Sequence, residues 1–354
     1  MNDVSSREIS IGGRRVGPGH PPYIVAEMSA NHNGSLERAL RIVKAAKEAG
    51  ADAVKLQTYT AESMTLDVDH PRFRVSGANP WDGEQLFSLY QKAATPWEWH
   101  ERIFQYGREL GIAIFSSPFD AAAVELLRSL DAPAYKIASF ELGDLELIRL
   151  CAAQGKPLII STGMASLDEI VDAVRAAREA GARELVVLKC TSSYPAAPEN
   201  INLRTIPHLS QAFDVLVGLS DHTMGIGVSV AAIAVGATLI EKHFTLARAD
   251  GGVDSTFSLE PAELRMLVDE TRAAHAALGR VTYSQGDLET SFKRYRRSLF
   301  FVRDVPAGRP ITRDDVRALR PGDGLAPKYI GDVLGHTLKA PVARGTPVSW
   351  ALFA

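Results

Sequence analysis

The chain has 354 residues, 46% of them hydrophobic, and a formal net charge of −3 at pH 7. This near-neutral balance gives no support for nucleic-acid binding or for a membrane-surface protein, and no apolar run reaches the roughly 18 residues of a membrane span. Two cysteines, Cys151 and Cys190, are too few for a disulfide framework and favour a reducing cytoplasm.

In chain order, a polar, glycine-rich stretch over residues 1–20 comes first and lacks the apolar segment of a signal peptide. Short apolar runs then alternate with helix-compatible segments. The runs cover residues 23–26, 53–54, 112–115, 134–137, 158–160, 185–188, 215–217 and 237–240. Eight such units predict an α/β fold of the (β/α)8 (TIM) barrel type. An open Rossmann sheet fits less well, because no Gly-x-Gly-x-x-Gly follows the first run.

Several helix boundaries are signalled by sequence. A helix is expected over residues 35–49, ending at Gly50, and another over residues 261–278. Capping boxes are predicted at residues 95–98 and at residues 166–169. Residues 59–94 interrupt the alternation of apolar runs and helical segments and form a long insertion. A long insertion at this end of a barrel is usually functional.

Nearly every apolar run ends in Glu, Lys, Gln, Ser or His, and in a barrel those ends face the active site. His222 and His243 follow neighbouring strands. Two imidazoles placed in this way can share one divalent metal; the alternative is that each histidine only forms a hydrogen bond at its strand end. Glu27 and Asp254 are candidate acids, bases or acceptors for sugar hydroxyls.

Lysines and serines at the same strand ends form a candidate cradle for a small phosphorylated, carboxylated anion, because they supply point charges and directional donors. The cradle residues are Lys55, Lys136, Ser117, Ser139, Ser161 and Ser220. From the residues alone, the prediction is metal-assisted chemistry on an anionic substrate.

The alternation of apolar runs and helical segments stops at a charged segment that contains five consecutive basic or aromatic residues, 293–297. Short β-like pieces divided by Gly and Pro follow. We predict an N-terminal extension (1–20), a barrel domain (21–281), a linker (282–295) and a small β-rich C-terminal domain (296–354).

Several motifs resemble the sialic acid synthase family over almost the whole chain. They are Ala26-Glu27, Asn31-His32, Lys55-Leu56-Gln57-Thr58, Ser116-Ser117-Pro118-Phe119, Ala134-Tyr135-Lys136-Ile137-Ala138-Ser139, Ser161-Thr162-Gly163-Met164, Gly218-Leu219-Ser220-Asp221-His222-Thr223 and Glu241-Lys242-His243-Phe244. The C-terminal piece, with Arg320-Pro321-Gly322 and Gly335, resembles that family's antifreeze-like (SAF) domain.

Within the family, residues 79–83 and 95–100 resemble the branch that makes pseudaminic acid. The resemblance implies condensation of phosphoenolpyruvate with 2,4-diacetamido-2,4,6-trideoxy-L-altrose, giving pseudaminic acid and phosphate. Ser192 stands where the N-acetylneuraminate synthases carry Asn. This departure argues against neuraminate as the product.

The resemblance also implies residue roles. It makes His222 and His243 the ligands of an exchangeable Mn²⁺, Co²⁺ or Mg²⁺ and Glu27 the carboxylate that handles the attacking water and a sugar hydroxyl. The six cradle residues become phosphoenolpyruvate contacts, and Gln57, Tyr194 and Asp254 become sugar contacts. Arg320 matches an arginine donated by the partner subunit, so a homodimer is expected in which each C-terminal domain completes the other active site.

Other functions compete with this one. The chain could be a legionaminic or N-acetylneuraminic acid synthase of the same family, or a 3-deoxy-sugar-acid synthase of the heptulosonate type, which lacks the C-terminal domain. From a different class, it could be a non-catalytic sugar-binding barrel. A metal pair and a lysine cradle disfavour a pure binding protein, which has no need of them.

Overall fold

The computed structural model describes residues 7–77, 79–283 and 286–354. The first six residues of the predicted extension and residues 284 and 285 of the predicted linker lie outside the described residues. The chain forms two compact units, Met1–Gly279 and Arg280–Ala354. Within the described part, no helix is long and apolar enough to cross a membrane.

The first unit is a closed barrel of eight parallel strands, so the predicted (β/α)8 fold is confirmed. An antiparallel hairpin of β1 (Ile9–Ile11) and β2 (Arg14–Val16) precedes it. The barrel strands are β3 (Tyr23–Glu27), β4 (Ala53–Thr58), β5 (Ala113–Pro118), β6 (Tyr135–Ile137), β7 (Leu158–Ser161), β8 (Leu185–Cys190), β9 (Leu216–Asp221) and β10 (Leu239–His243). Pairing of β10 with β3 closes the ring.

The hairpin fills the barrel end where the strands begin. Ile9, Ile11 and Val16 share one buried apolar cluster with the strand-start residues Tyr23 and Ala53. Closing that end with apolar side chains leaves the opposite end, where the strands finish, for polar chemistry.

Helices surround the barrel and bury their apolar faces against it. They are α1 (Leu36–Ala49), α2 (Ala61–Met64), α3 (Leu86–Ala93), α4 (Trp97–Leu110), α5 (Ala121–Ser129), α6 (Leu145–Ala152), α7 (Leu167–Glu179), α8 (Thr205–Phe213), α9 (Gly227–Ala234) and α10 (Pro261–Leu278). The predicted insertion contains α2 and α3.

The helix boundaries predicted from sequence are confirmed, with one exception. Ser35 caps α1, Gly50 ends it in the left-handed region, and the capping box at the start of α7 is present. The capping box predicted at Thr95 is wrong. Pro96 itself occupies the N-cap of α4, without a side-chain hydrogen bond, so Thr95 lies one position too early to cap.

The second unit has its own small core. It contains α11 (Asp287–Phe292), an antiparallel pair of β11 (Ser298–Phe301) and β12 (Val316–Leu319), and α12 (Ile330–Val333). Leu299, Phe301, Val316 and Val348 are among its buried apolar residues. The segment predicted as a linker therefore includes a short helix.

Candidate active site

Side chains alternate across the ends of β9 and β10, as the period of two in a strand requires. Lys242 and Asp221 are register partners, and the Ser229 hydroxyl on α9 donates to Asp221 Oδ2 over 2.6 Å. Both residues therefore face the surrounding helices. The residues next to them, His222 and His243, face the barrel interior.

The two histidines form a buried pair with free ring nitrogens. Their ring centroids lie 5.5 Å apart, and only 6% of His222 and 8% of His243 is exposed. His222 Nδ1 donates to the Thr191 carbonyl over 2.9 Å, so in the neutral ring Nε2 carries the lone pair. His243 Nδ1 is buried and has no hydrogen-bond partner among the described residues.

This pair fits a divalent metal. Burial, reinforced by His222 and nearby lysines, holds the pKa of His243 well below its ordinary value, so the ring stays in the neutral form that binds metals. In the described part of the chain, no group of three or more His, Cys, Asp and Glu residues could hold a metal ion. Water and substrate would have to complete the coordination shell.

The two cradle lysines lie on either side of Glu241, a residue that sequence analysis did not assign to the site. Glu241 Oε1 lies 3.6 Å from Lys55 Nζ and 3.7 Å from Lys136 Nζ. Glu241 points inward because it lies two residues before His243 on β10. This separation of two residues from His243 was the sequence signal that could have assigned Glu241 to the site.

Lys55 also forms a buried ion pair with Glu27. Its Nζ lies 2.5 Å from Glu27 Oε2, and Ser117 Oγ lies 3.4 Å away. Burial alone would lower the pKa of Lys55, but Glu241 and Glu27 raise it above its ordinary value. Lys55 is therefore protonated at neutral pH. Burial raises the pKa of Glu27, which suits a carboxyl that gains and loses a proton.

The predicted cradle serines also lie inside the barrel end. The Ser139 hydroxyl accepts a hydrogen bond from the Gly163 backbone N–H over 3.0 Å. Ser161 Oγ is buried without a partner in the described residues, and Ser117 and Ser220 are buried too. An unpartnered buried hydroxyl at the end of a barrel strand is an available donor for an anion.

The predicted sugar contact Gln57 bonds Glu27 directly, and Ser29 joins Gln57 to the second predicted sugar contact, Asp254. Gln57 Nε2 donates to Glu27 Oε1 and to Ser29 Oγ, each over 3.2 Å. The Ser29 hydroxyl in turn donates to Asp254 Oδ2. Sequence analysis did not assign Ser29 to the site, and its location just after β3 gave only a weak signal.

The Tyr194 ring covers the histidines, with its centroid 4.3 Å from that of His222. Phe257, which sequence analysis missed, lies 5.2 Å from Tyr194 and 5.0 Å from His243 between ring centroids. The remaining predicted residue, Arg320, belongs to the second unit, where it is exposed and directly follows β12.

Two protein-family models match the chain. Residues 42–283 match the NeuB family and residues 296–354 match the SAF domain. The chain is 45% identical to the pseudaminic acid synthase of Campylobacter jejuni over 91% of this chain and 94% of that protein. It is 42% identical to the pseudaminic acid synthase of Helicobacter pylori, over 93% and 97%.

Among solved structures, the N-acetylneuraminic acid synthetase of Leptospira borgpetersenii superposes with a TM-score of 0.72. It is 31% identical and covers 81% of this chain and 95% of that one. The similarity therefore extends from sequence to fold.

Proposed function

The chain belongs to the NeuB family, and from its identity to pseudaminic acid synthases we propose that it is a pseudaminic acid synthase. The reaction condenses phosphoenolpyruvate with 2,4-diacetamido-2,4,6-trideoxy-β-L-altrose and water and yields pseudaminic acid and phosphate. The observation that carries the proposal is the 42–45% identity to pseudaminic acid synthases over more than nine-tenths of the chain. The sequence-based prediction of the sialic acid synthase family is confirmed.

One carbon–carbon bond and one carbon–oxygen bond form in this reaction, and one carbon–oxygen bond breaks. The C3 carbon of phosphoenolpyruvate attacks the aldehyde carbon of the open-chain sugar, and water adds at C2. The tetrahedral centre then loses phosphate by cleavage of its C2–O bond. A site for this reaction needs cations for the phosphate and carboxylate, a base for the water, and a polarising group for the aldehyde.

The residues of the barrel end supply these groups. Lys55 and Lys136, with Ser117, Ser139, Ser161 and Ser220, would bind the phosphoenolpyruvate anion. Glu27 would take the proton of the attacking water, since burial raises its pKa and Lys55 orients it. Gln57, Tyr194 and Asp254 would orient the sugar.

His222 and His243 would hold the divalent metal, which we propose to be an exchangeable Mn²⁺, Co²⁺ or Mg²⁺. When bound, such an ion polarises a carbonyl as a Lewis acid. The protein's own contribution is to bury both imidazoles, to hold the His222 ring by the Thr191 carbonyl, and to keep His243 in its neutral form through burial.

We further propose a cytoplasmic homodimer in which Arg320 acts on the partner's active site. The arginine is exposed and precedes Pro321 on the connection after β12. The N–H donors of its planar guanidinium group suit sugar hydroxyls or an acetamido carbonyl. Both cysteines are free, which agrees with a reducing compartment.

The test is phosphate release by the purified full-length protein from phosphoenolpyruvate, with and without sugar. A panel of diacetamido-trideoxyhexoses, with product mass and NMR, identifies the stereochemistry. Sugar-dependent release with the L-altro compound supports the proposal. Preference for the sugar precursor of legionaminic acid or for N-acetylmannosamine would reassign the chain within the family, and binding without release would indicate a sugar-binding barrel.

A further inference from the structure

The insertion after β4 carries a turn that projects an aromatic ring. Val75 and Gly83 pair through a 2.9 Å backbone hydrogen bond, and Val75 also bonds the Glu84 carbonyl. The Trp81 backbone N–H donates to Asn79 Oδ1 over 2.9 Å. These bonds hold the Trp81 turn, defined as residues 79–83, through its own backbone and side chains.

Trp81 lies against the aromatic residues that cover the histidines. Its ring centroid is 5.6 Å from that of Tyr194 and 6.1 Å from that of Phe257, the latter edge to face. Its indole Nε1 donates to the Val253 carbonyl over 2.9 Å, next to the predicted sugar residue Asp254. Trp81 therefore joins the insertion to the loop after β10 at the sugar side of the site.

The three rings, Trp81, Tyr194 and Phe257, form one apolar wall beside an otherwise polar site. The lysines, carboxylates and serines described above can recognise charges and hydroxyls, but they give no favourable contact to a methyl group. Aromatic faces supply that contact, because they bury apolar surface at little cost in side-chain entropy.

We propose that Trp81 is a specificity-determining residue, and that the wall recognises the apolar substituents at C4 and C6 of the sugar. This inference rests on the proposed function. The diacetamido-trideoxy sugar carries an acetamido methyl at C4 and a bare methyl at C6, where N-acetylmannosamine carries hydroxyls. A wall that packs against methyl groups favours the first sugar and leaves the hydroxyls of the second without partners.

The experiment compares Trp81→Ala, Trp81→Phe and Leu66→Ala with the unmodified full-length protein. Leu66 lies in the same insertion and is 64% exposed, so it is the matched control. The readout is kcat/KM for the diacetamido-trideoxyhexose and for N-acetylmannosamine, together with KM for phosphoenolpyruvate. Thermal melts report any loss of fold.

In Trp81→Ala, the ratio of the two kcat/KM values should fall by about tenfold or more, while KM for phosphoenolpyruvate stays unchanged. Trp81→Phe should recover most of the ratio, and Leu66→Ala should keep it. An equal loss with both sugars would show that the ring only supports the fold and would overturn the inference. So would an unchanged ratio in Trp81→Ala.

The unmodified protein separates this inference from the proposed function. If it releases no phosphate with either sugar, the proposed function fails and the inference fails with it. Normal activity of the unmodified protein with an unchanged ratio in Trp81→Ala overturns the inference alone.

Discussion

Lys242 Nζ lies 2.9 Å from Asp221 Oδ2, in an ion pair buried between the barrel and α9. The two residues are register partners on β10 and β9, and each lies next to one of the histidines in sequence. Since side chains alternate along a strand, fixing this pair on the outer face directs His222 and His243 inward. A pair that faces away from the active site thus orients the imidazoles that face it.

The metal prediction follows from that orientation. Two imidazoles give an incomplete shell, so we expect a readily exchanged ion rather than a structural one. Dialysis against a chelator should abolish phosphate release and leave the circular dichroism spectrum unchanged, and added Mn²⁺, Co²⁺ or Mg²⁺ should restore activity. Full activity in the metal-free protein would contradict the prediction.

Lys136→Met should weaken phosphoenolpyruvate binding. Lys136 is 2% exposed and has Glu241 as its carboxylate neighbour. Loss of a charged hydrogen bond costs about 1.5–3 kcal/mol, so KM for phosphoenolpyruvate should rise about tenfold or more, or turnover should collapse. Lys156→Met is the control, because Lys156 pairs with Asp131 at the surface. An unchanged KM in Lys136→Met would mean that the anion binds elsewhere.

Gly163→Ala should impair the same anion site without unfolding the barrel. A Cβ at this position would lie 2.7 Å from Ser139 Oγ and closer still to Ser192 Oγ, so both hydroxyls must move. We expect KM for phosphoenolpyruvate to rise and the melting temperature to stay close to that of the unmodified protein. Gly143→Ala is the control, since nothing lies within 4 Å of its added Cβ. Equal kinetics in the two variants would remove Ser139 and Ser192 from the binding site.

Asp315→Asn should destabilise the second unit. The fully buried Asp315 accepts hydrogen bonds from Arg303 and Arg309 over 2.6 and 2.7 Å and from Thr312 N. Loss of its charge should lower the free energy of unfolding by about 1.5–3 kcal/mol at pH 7. Calorimetry on the full chain measures the loss, and Asp314→Asn, at an exposed position, is the control.

The charge of Asp315 also predicts how the stability of the second unit depends on pH. Burial opposes the charge, but Arg309, Thr312 and Arg303 outweigh it and hold the pKa of Asp315 below its ordinary value. The stabilisation is therefore present above the unfolded-state pKa of about 3.9 and is lost as the pH falls below it. The difference between Asp315→Asn and the unmodified protein should be constant from neutral pH to about 5 and shrink below about 4. A constant difference at every pH would contradict the charge argument.

Mixing two inactive chains tests the dimer. Arg320→Ala keeps its histidines, and His222→Ala keeps its arginine. If Arg320 acts on the partner's site, one active site of a mixed dimer is intact and activity should partly return. Subunit exchange must be verified, for example with differently tagged chains. Exchange without regained activity would show that the arginine works within its own chain.

Local sequence patterns were sufficient for the barrel. Apolar runs of strand length, each followed by a helical segment, leave few other arrangements that bury both faces of a parallel sheet. The limits of α10 and the caps of α1 and α7 could be predicted because caps depend on neighbouring residues in the chain. The same rule failed at Thr95, where a shift of one residue moved the N-cap to Pro96.

The sequence by itself predicted where the barrel strands lie, and so made the histidines and the lysines and serines on and after those strands candidates for the site. Only the tertiary structure decided what those residues touch. Glu241 between the lysines, Ser29 between Gln57 and Asp254, and Trp81 against Tyr194 all bring together residues that lie far apart in the chain. Strand ends follow from local periodicity, whereas contacts across a closed barrel depend on the shear and register of every strand, which no local pattern encodes.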